Sequence, residues 1–187
     1  MARLVSRSII GTTLTLVALF AAFATSASAQ PGQTDEHKVL EEEVGTWDAA
    51  CKFWPTPNAE PMEFEGSETN DMLGGLWLIS KFEGSLGDMP FTGRGTTGYD
   101  PAEKQYVGTW IDSVSPYMTI MKGAYDPATK TLTMTGDMRD AASGKLTETK
   151  QVWHYIDDNT RTFEIHSPGD DGKMFQMMEI KYTRRAE

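Results

Sequence analysis

An all-β fold is predicted here, an antiparallel up-and-down barrel of about ten strands with a short N-terminal helix, on three features of the sequence. Two near-identical turns, Tyr99-Asp100-Pro101-Ala102-Glu103-Lys104 and Tyr125-Asp126-Pro127-Ala128-Thr129-Lys130, recur 26 residues apart. Short runs of alternating apolar and polar residues fill the chain between such turns, as in Thr131-Leu132-Thr133-Met134-Thr135. No long crossover separates consecutive runs, so each strand returns beside its predecessor, and a sheet this long must close or split into two layers. Continuous hairpins favour closure over a Greek-key sandwich.

Each element has a local reason. Asp35–Glu43 can form a short helix with His37 and Leu40 on one side. Gly45-Thr46-Trp47 opens the first strand, which runs through Cys51 and Phe53 until three prolines between Pro55 and Pro61 end it. Met62–Met72 is the second strand, and Leu73-Gly74-Gly75 turns it into Leu76–Glu83. In Phe91–Tyr99, Gly93, Gly95 and Gly98 permit a strong bend or a bulge. Gln105–Ser113, Met118–Tyr125 and the run from Thr131 follow, the middle one pairing back onto the first. Asp140–Lys145 turns into Leu146–Ile156, and Asp157-Asp158-Asn159 into Thr160–His166. A turn centred near Asp158 sets His154 opposite Thr162 and His166 opposite Lys150. The loop from Pro168 to Gly172 leads to the last strand, Met174–Thr183.

The first 29 residues read as a leader rather than as fold. Arg3 and Arg7 precede an apolar run from Ile9 to Ala24, and Ala27-Ser28-Ala29 supplies the small residues of a cleavage site. The expected organisation is a signal peptide over 1–29 and a single barrel domain over 30–187, in a periplasmic or secreted protein. Without the leader, 15 basic residues face 27 acidic ones, a net charge of −12. So acidic a chain is ill suited to nucleic acid or an anionic membrane surface, and a monomer or homodimer is expected. Cys51, the single cysteine, can form no internal disulfide and reads as a buried, inert thiol.

The short helix, Gly45-Thr46-Trp47 at the first strand and the meander of hairpins together resemble the calycin superfamily of lipocalin-like barrels. In that superfamily the tryptophan of such a Gly-x-Trp packs across the closed end. A longer series of blocks resembles the bacterial domain-of-unknown-function family 1579. It includes Leu73-Gly74-Gly75, Met89-Pro90-Phe91-Thr92-Gly93, Thr97-Gly98-Tyr99-Asp100, Thr109-Trp110-Ile111-Asp112-Ser113, the second Asp-Pro turn and Met178-Glu179-Ile180-Lys181-Tyr182-Thr183-Arg184. The resemblance spans residues 34–184 and implies a calycin-like barrel without an assigned activity.

If ten strands close, the interior is wider than eight strands leave, and a ligand-sized space follows. The expected function is capture of a small apolar or amphipathic molecule inside the barrel. Trp110, Met118, Met134 and Met178 would supply apolar contact, and Asp112 or Tyr182 would orient the ligand. Asp112 has a second reading, as the cap of the turn through Ser113 and Ser115. Two alternatives stand beside capture: a structural or protein-interaction barrel with a packed core, and a haem-binding barrel with one axial histidine as the superfamily resemblance implies, for which His166 is the candidate because it lies near a strand end. No metal-ligand spacing joins His37, His154 and His166, and no nucleophile motif is present, so neither cofactor nor enzymatic activity is expected. Gly93-x-Gly95-x-x-Gly98 matches a dinucleotide pattern by spacing alone, since a turn, not a helix, follows it.

Overall fold

The turns act as hinges of a closed wall. In the computed structural model, which describes residues 32–139 and 144–186, each alternating run forms a strand. The elements are α1 (His37–Glu41), β1 (Gly45–Phe53), β2 (Met62–Leu73), β3 (Trp77–Leu86), β4 (Met89–Asp100), β5 (Gln105–Asp112), β6 (Thr119–Asp126), β7 (Thr131–Arg139), β8 (Leu146–Asp157), β9 (Thr160–Pro168) and β10 (Met174–Arg184). Neighbours in sequence pair antiparallel, and β1 also pairs with β10, from Trp47 opposite Arg184 to Phe53 opposite Met178. The ten strands therefore close, and no free edge remains. The leader expected over 1–29 lies outside the described residues, as do positions 140–143 of the turn before β8.

The duplicated Asp-Pro turns owe their shape to the aspartate. Asp100 Oδ1 accepts the N–H of Ala102 at 2.9 Å and of Glu103 at 3.2 Å, and Asp126 Oδ1 accepts that of Ala128 at 2.9 Å. Both copies end on a lysine in the left-handed region, Lys104 at φ 53° and Lys130 at φ 50°. The β8–β9 register sets His154 opposite Thr162 and His166 opposite Lys150, as the turn position predicts.

Both Asp-Pro turns lie at the end where α1 sits, which we call the base; β1–β2, β3–β4 and β5–β6 connect at the opposite end, the mouth. The helix is shorter than predicted because the chain leaves it early to carry Glu43 into the barrel. His37 and Leu40 are buried beneath it, and the Tyr106 hydroxyl donates to the Glu36 carbonyl at 2.7 Å. His37 also meets Tyr99 edge-on at 5.9 Å.

The buried apolar residues form two groups rather than one. One gathers Leu40, Leu78, Tyr106, Leu132, Met134 and Tyr155; the other gathers Trp47, Ala49, Cys51, Phe82, Ile180 and Tyr182. Trp110 is half-buried and touches both. Burial pushes the Cys51 thiol up to about 12, which keeps it protonated and unreactive. The glycines of β4 have another use than the bend expected of them. A Cβ on Gly93 would stand 2.1 Å from the Trp110 ring, and one on Gly98 2.5 Å from Trp77, so each glycine is the seat of an indole. The β-bulges lie elsewhere, between Tyr155 and Asp157 and between Gln176 and Met178.

Candidate functional site

The interior divides into a charged base and an apolar mouth half. At the base, side-chain alternation turns Glu68 and Asn70 of β2, Tyr155 of β8, Arg161 of β9 and Tyr182 of β10 inward, and all are buried. Glu43, after α1, joins them. Arg161 donates to Glu43 Oε2 at 2.6 Å and to Glu68 Oε1 at 2.5 Å. Tyr155 donates to Glu43 at 2.6 Å and Tyr182 to Glu68 at 3.0 Å, while Asn70 Nδ2 donates to Glu68 at 2.9 Å. Every carboxylate oxygen thus accepts at least one hydrogen bond, which is what makes two buried anions tolerable. The guanidinium lies 4.7 Å from the Trp47 ring and 4.1 Å from that of Tyr182. Trp47 Nε1 donates to the Glu43 carbonyl at 2.8 Å, and Arg184 covers the indole at 4.1 Å. Among the described residues, Arg161 Nε and Asn70 Oδ1 have no partner.

Burial pushes the Glu43 carboxyl up, and the Arg161 charge and the Tyr155 hydroxyl pull it back. Burial alone would lower the Arg161 guanidinium, but Glu43 and Glu68 more than offset this. Burial, then the facing carboxylate, raises Tyr155 and Tyr182 well above the usual phenol range. Below about pH 10 both folded and unfolded chains keep these phenols protonated; above it the unfolded chain loses protons that the folded one retains. Stability is therefore expected to be unchanged by these groups up to about pH 10 and to fall as pH rises beyond it. Urea midpoints at pH 8, 9.5 and 11 check this, and a midpoint flat across that range contradicts it.

Towards the mouth the inner wall changes character. Phe64, Phe91, Trp110, Phe163, Ile165 and Met178 face inward by register yet are only half-buried. Phe82 lies flat against Gly66, where a Cβ would stand 2.4 Å from the ring, so the ring hugs the wall instead of crossing the interior. On β8 and β9 polar residues also face inward, among them Thr149, Ser167 opposite Phe175 of β10, and Gln151 between Met134 and Ile165. Thr149, Gln151 and Ser167 are 1%, 5% and 9% exposed. The Thr149 hydroxyl donates to the Gly136 carbonyl at 3.1 Å. The Gln151 carboxamide and the Ser167 hydroxyl have no hydrogen-bond partner among the described residues.

The six residues named from sequence are not all brought together. Trp110, Asp112 and Met178 lie on the inner side of the mouth half; Met134 is in the core and Tyr182 at the base, committed to Glu68. Asp112 holds a turn: its Oδ1 accepts the N–H of Val114 and of Ser115, each at 2.9 Å, and its Oδ2 accepts Trp110 Nε1 at 3.2 Å. Met118 is 56% exposed and sits on the outside. Register is the reason, since Trp110 pairs with Thr119, which makes Thr119 and Met121 the inward residues of β6. Met118, Ile120 and Leu146 instead line an outer recess of about 300 Å³ with Tyr117, Asp137 and Arg139. His166 is likewise on the outer face, opposite Lys150 and Gln176, with Nε2 2.8 Å from Glu164.

Sequence reasoning missed Glu43, Glu68, Arg161 and Gln151. The signal was parity: Arg161 alternates with Phe163 and Ile165, and Gln151 with Trp153 and Tyr155, so both had to share an apolar face.

A ten-stranded closed barrel with a helix over one end and the Gly-x-Trp tryptophan packed across that end has a calycin-like fold. The chain belongs to the family described as protein of unknown function (DUF1579), whose model matches residues 32–184. Among solved structures, the barrel is similar to Rv2717c from M. tuberculosis, with a TM-score of 0.62 at 12% identity over 82% of this chain and 99% of that one. It is also similar to the S-type phycobiliprotein lyase CPES from Guillardia theta, with a TM-score of 0.57 at 12% identity over 83% and 96%. At such identity the likeness is one of fold. No curated protein matches the chain at a significant level. Among the described residues, no helix is long and apolar enough to cross a membrane and no group of three or more potential ligands could hold a metal ion.

Proposed function

We propose that this exported barrel captures a small apolar or amphipathic molecule in the mouth half of its interior. One observation carries the reading: inward residues in the bodies of their strands, Trp110, Phe163, Ile165 and Met178 among them, are only half-buried. A solid core would bury them as fully as it buries Leu132 and Met134. Seating Phe82 on Gly66 and Trp110 on Gly93 widens the space further, because a ring flat on the inner wall leaves the axis free. Capture is by removal of apolar surface from water, with no covalent step. Export rests on the leader at 1–29.

The neutral dye N-phenyl-1-naphthylamine tests this by its fluorescence gain. Micromolar binding is expected, abolished by Ile165→Trp, which fills the interior, and unaffected by Met118→Asp with Ile120→Asp on the outer recess. Ser167→Trp takes the place of Ile165→Trp if that variant does not fold. Binding that survives the filling variants, or no binding at all, overturns the reading.

A further inference from the structure

Resting on the interior as the binding site, we propose that it selects uncharged molecules: a hydrocarbon or aromatic body carrying one hydroxyl or carbonyl group, anchored by Gln151, with anions turned away. The distribution of charge inside the wall leads there. The inward ionised groups are Glu43, Glu68, Arg161 and, stacked on Trp47, Arg184 at the base, and Asp112 at the mouth. The first three satisfy one another, and Asp112 is taken by two backbone N–H groups and the Trp110 indole. Their sum is −1, and among the described strand residues no cation faces the mouth half: Lys52, Lys81, Lys122, Lys150 and Lys181, with Arg94 and Arg139, all alternate outward. A carboxylate, sulfonate or phosphate entering here would lose its hydration, pass Asp112 at the mouth and find no free counter-charge, since both arginines at the base are already committed.

The interior does hold an unused neutral hydrogen-bonding group. Gln151 is 5% exposed, faces inward between Met134 and Ile165, and offers both an amide N–H and a carbonyl oxygen with no partner among the described residues. Ser167, opposite Phe175 and two residues beyond Ile165, adds a hydroxyl closer to the mouth. These groups have no protein partner among the described residues, yet their polar atoms are not sealed from solvent, so a ligand that pairs with them while displacing that water gains over one that only fills space. In strand order, β8 and β9 lie across the barrel from β3 and β4, the wall of Phe82 and Phe91. An amphipathic molecule would place its body on the latter and its polar group on the former.

The experiment uses two dyes with one carbon skeleton. N-phenyl-1-naphthylamine is neutral, and 8-anilinonaphthalene-1-sulfonate adds a single sulfonate. Counting only the signal that Ile165→Trp removes, the neutral dye is expected to bind at least tenfold more tightly. Decanamide is expected to displace it and decanoate at pH 7.5 to fail at tenfold higher concentration. Gln151→Leu, which keeps the side-chain volume, should weaken decanamide about fivefold relative to the dye. Equal affinity for the two dyes, or displacement by decanoate, overturns the selectivity while leaving the interior site intact. An unchanged decanamide affinity in Gln151→Leu overturns the anchor. If neither dye binds inside, the interior reading fails first and this inference with it.

Discussion

Replacing Arg161 by alanine is expected to cost about 3–5 kcal/mol, the largest loss of any single side chain in the barrel. Tm should fall by roughly 10 °C or more, at 2–4 °C per kcal/mol for a domain of this size. The reason is not the bonds removed but the charges left behind. Glu43 and Glu68 would face each other in the base with two phenols and an amide as their remaining donors. Arg161→Lys should recover little, because a single ammonium cannot span both carboxylates at 2.6 and 2.5 Å and stack on two rings. The control is removal of every charge at once, Glu43→Gln with Glu68→Gln and Arg161→Met, which should cost far less than Arg161→Ala alone. Urea denaturation followed by tryptophan fluorescence measures all three. If the triple variant is the least stable, direct attraction within the cluster outweighs desolvation instead.

That cluster also ties the molecule together. Glu43 belongs to the segment between α1 and β1, and its partners come from β8 and β9, while Glu68 of β2 reaches β9 and β10. Strands distant in sequence are thus joined where the barrel closes, and the helix is tied to the same point. With the base held this firmly, the mouth half can tolerate an imperfectly filled interior. A capture site placed at the base would have had to disturb the network to open.

The fold was legible because its determinants are local. An Asp-Pro turn specifies itself through its own aspartate, and strand alternation follows from two-residue periodicity. Once the Asp158 turn is placed, the register of β8 on β9 follows by counting. The site was less legible because it depends on which face of each strand is inward, and that is inherited from neighbours. Met118 illustrates the difference. It lies just before β6 in an apolar stretch, yet the pairing of Trp110 with Thr119 decides that Met121 goes in and Met118 stays out. Glu43 and Glu68 were hidden by composition, since in so acidic a chain any one glutamate reads as surface. Only their shared partner Arg161, 93 residues beyond Glu68, sets them apart.

Gly123→Ala is expected to destabilise by about 3 kcal/mol, several times more than Gly93→Ala, although the latter faces the proposed site. A Cβ on Gly93 would collide with the Trp110 ring, a side chain at the mouth that can swing away at the cost of one hydrogen bond to Asp112. A Cβ on Gly123 would stand 1.9 Å from the Thr133 carbonyl oxygen and 2.6 Å from the Met134 Cα, both backbone atoms of the neighbouring strand. Gly136 mirrors it on the same hairpin, its Cβ position 2.2 Å from the Ile120 carbonyl oxygen. Neither glycine needs a positive φ, so the constraint is close approach alone: β6 and β7 pack as they do because each lacks a side chain where the other's carbonyl leans in. Relief would require the two strands to part, breaking the ladder between Ile120–Asp126 and Thr131–Asp137 in a wall whose other joint, β5 with β6, is secured by five residue pairs. Urea midpoints rank the two variants, and hydrogen exchange locates the damage. Loss of protection confined to β6 and β7 in Gly123→Ala supports the steric account. Equal loss in both variants would show that space inside the wall, rather than spacing between strands, is what these glycines preserve.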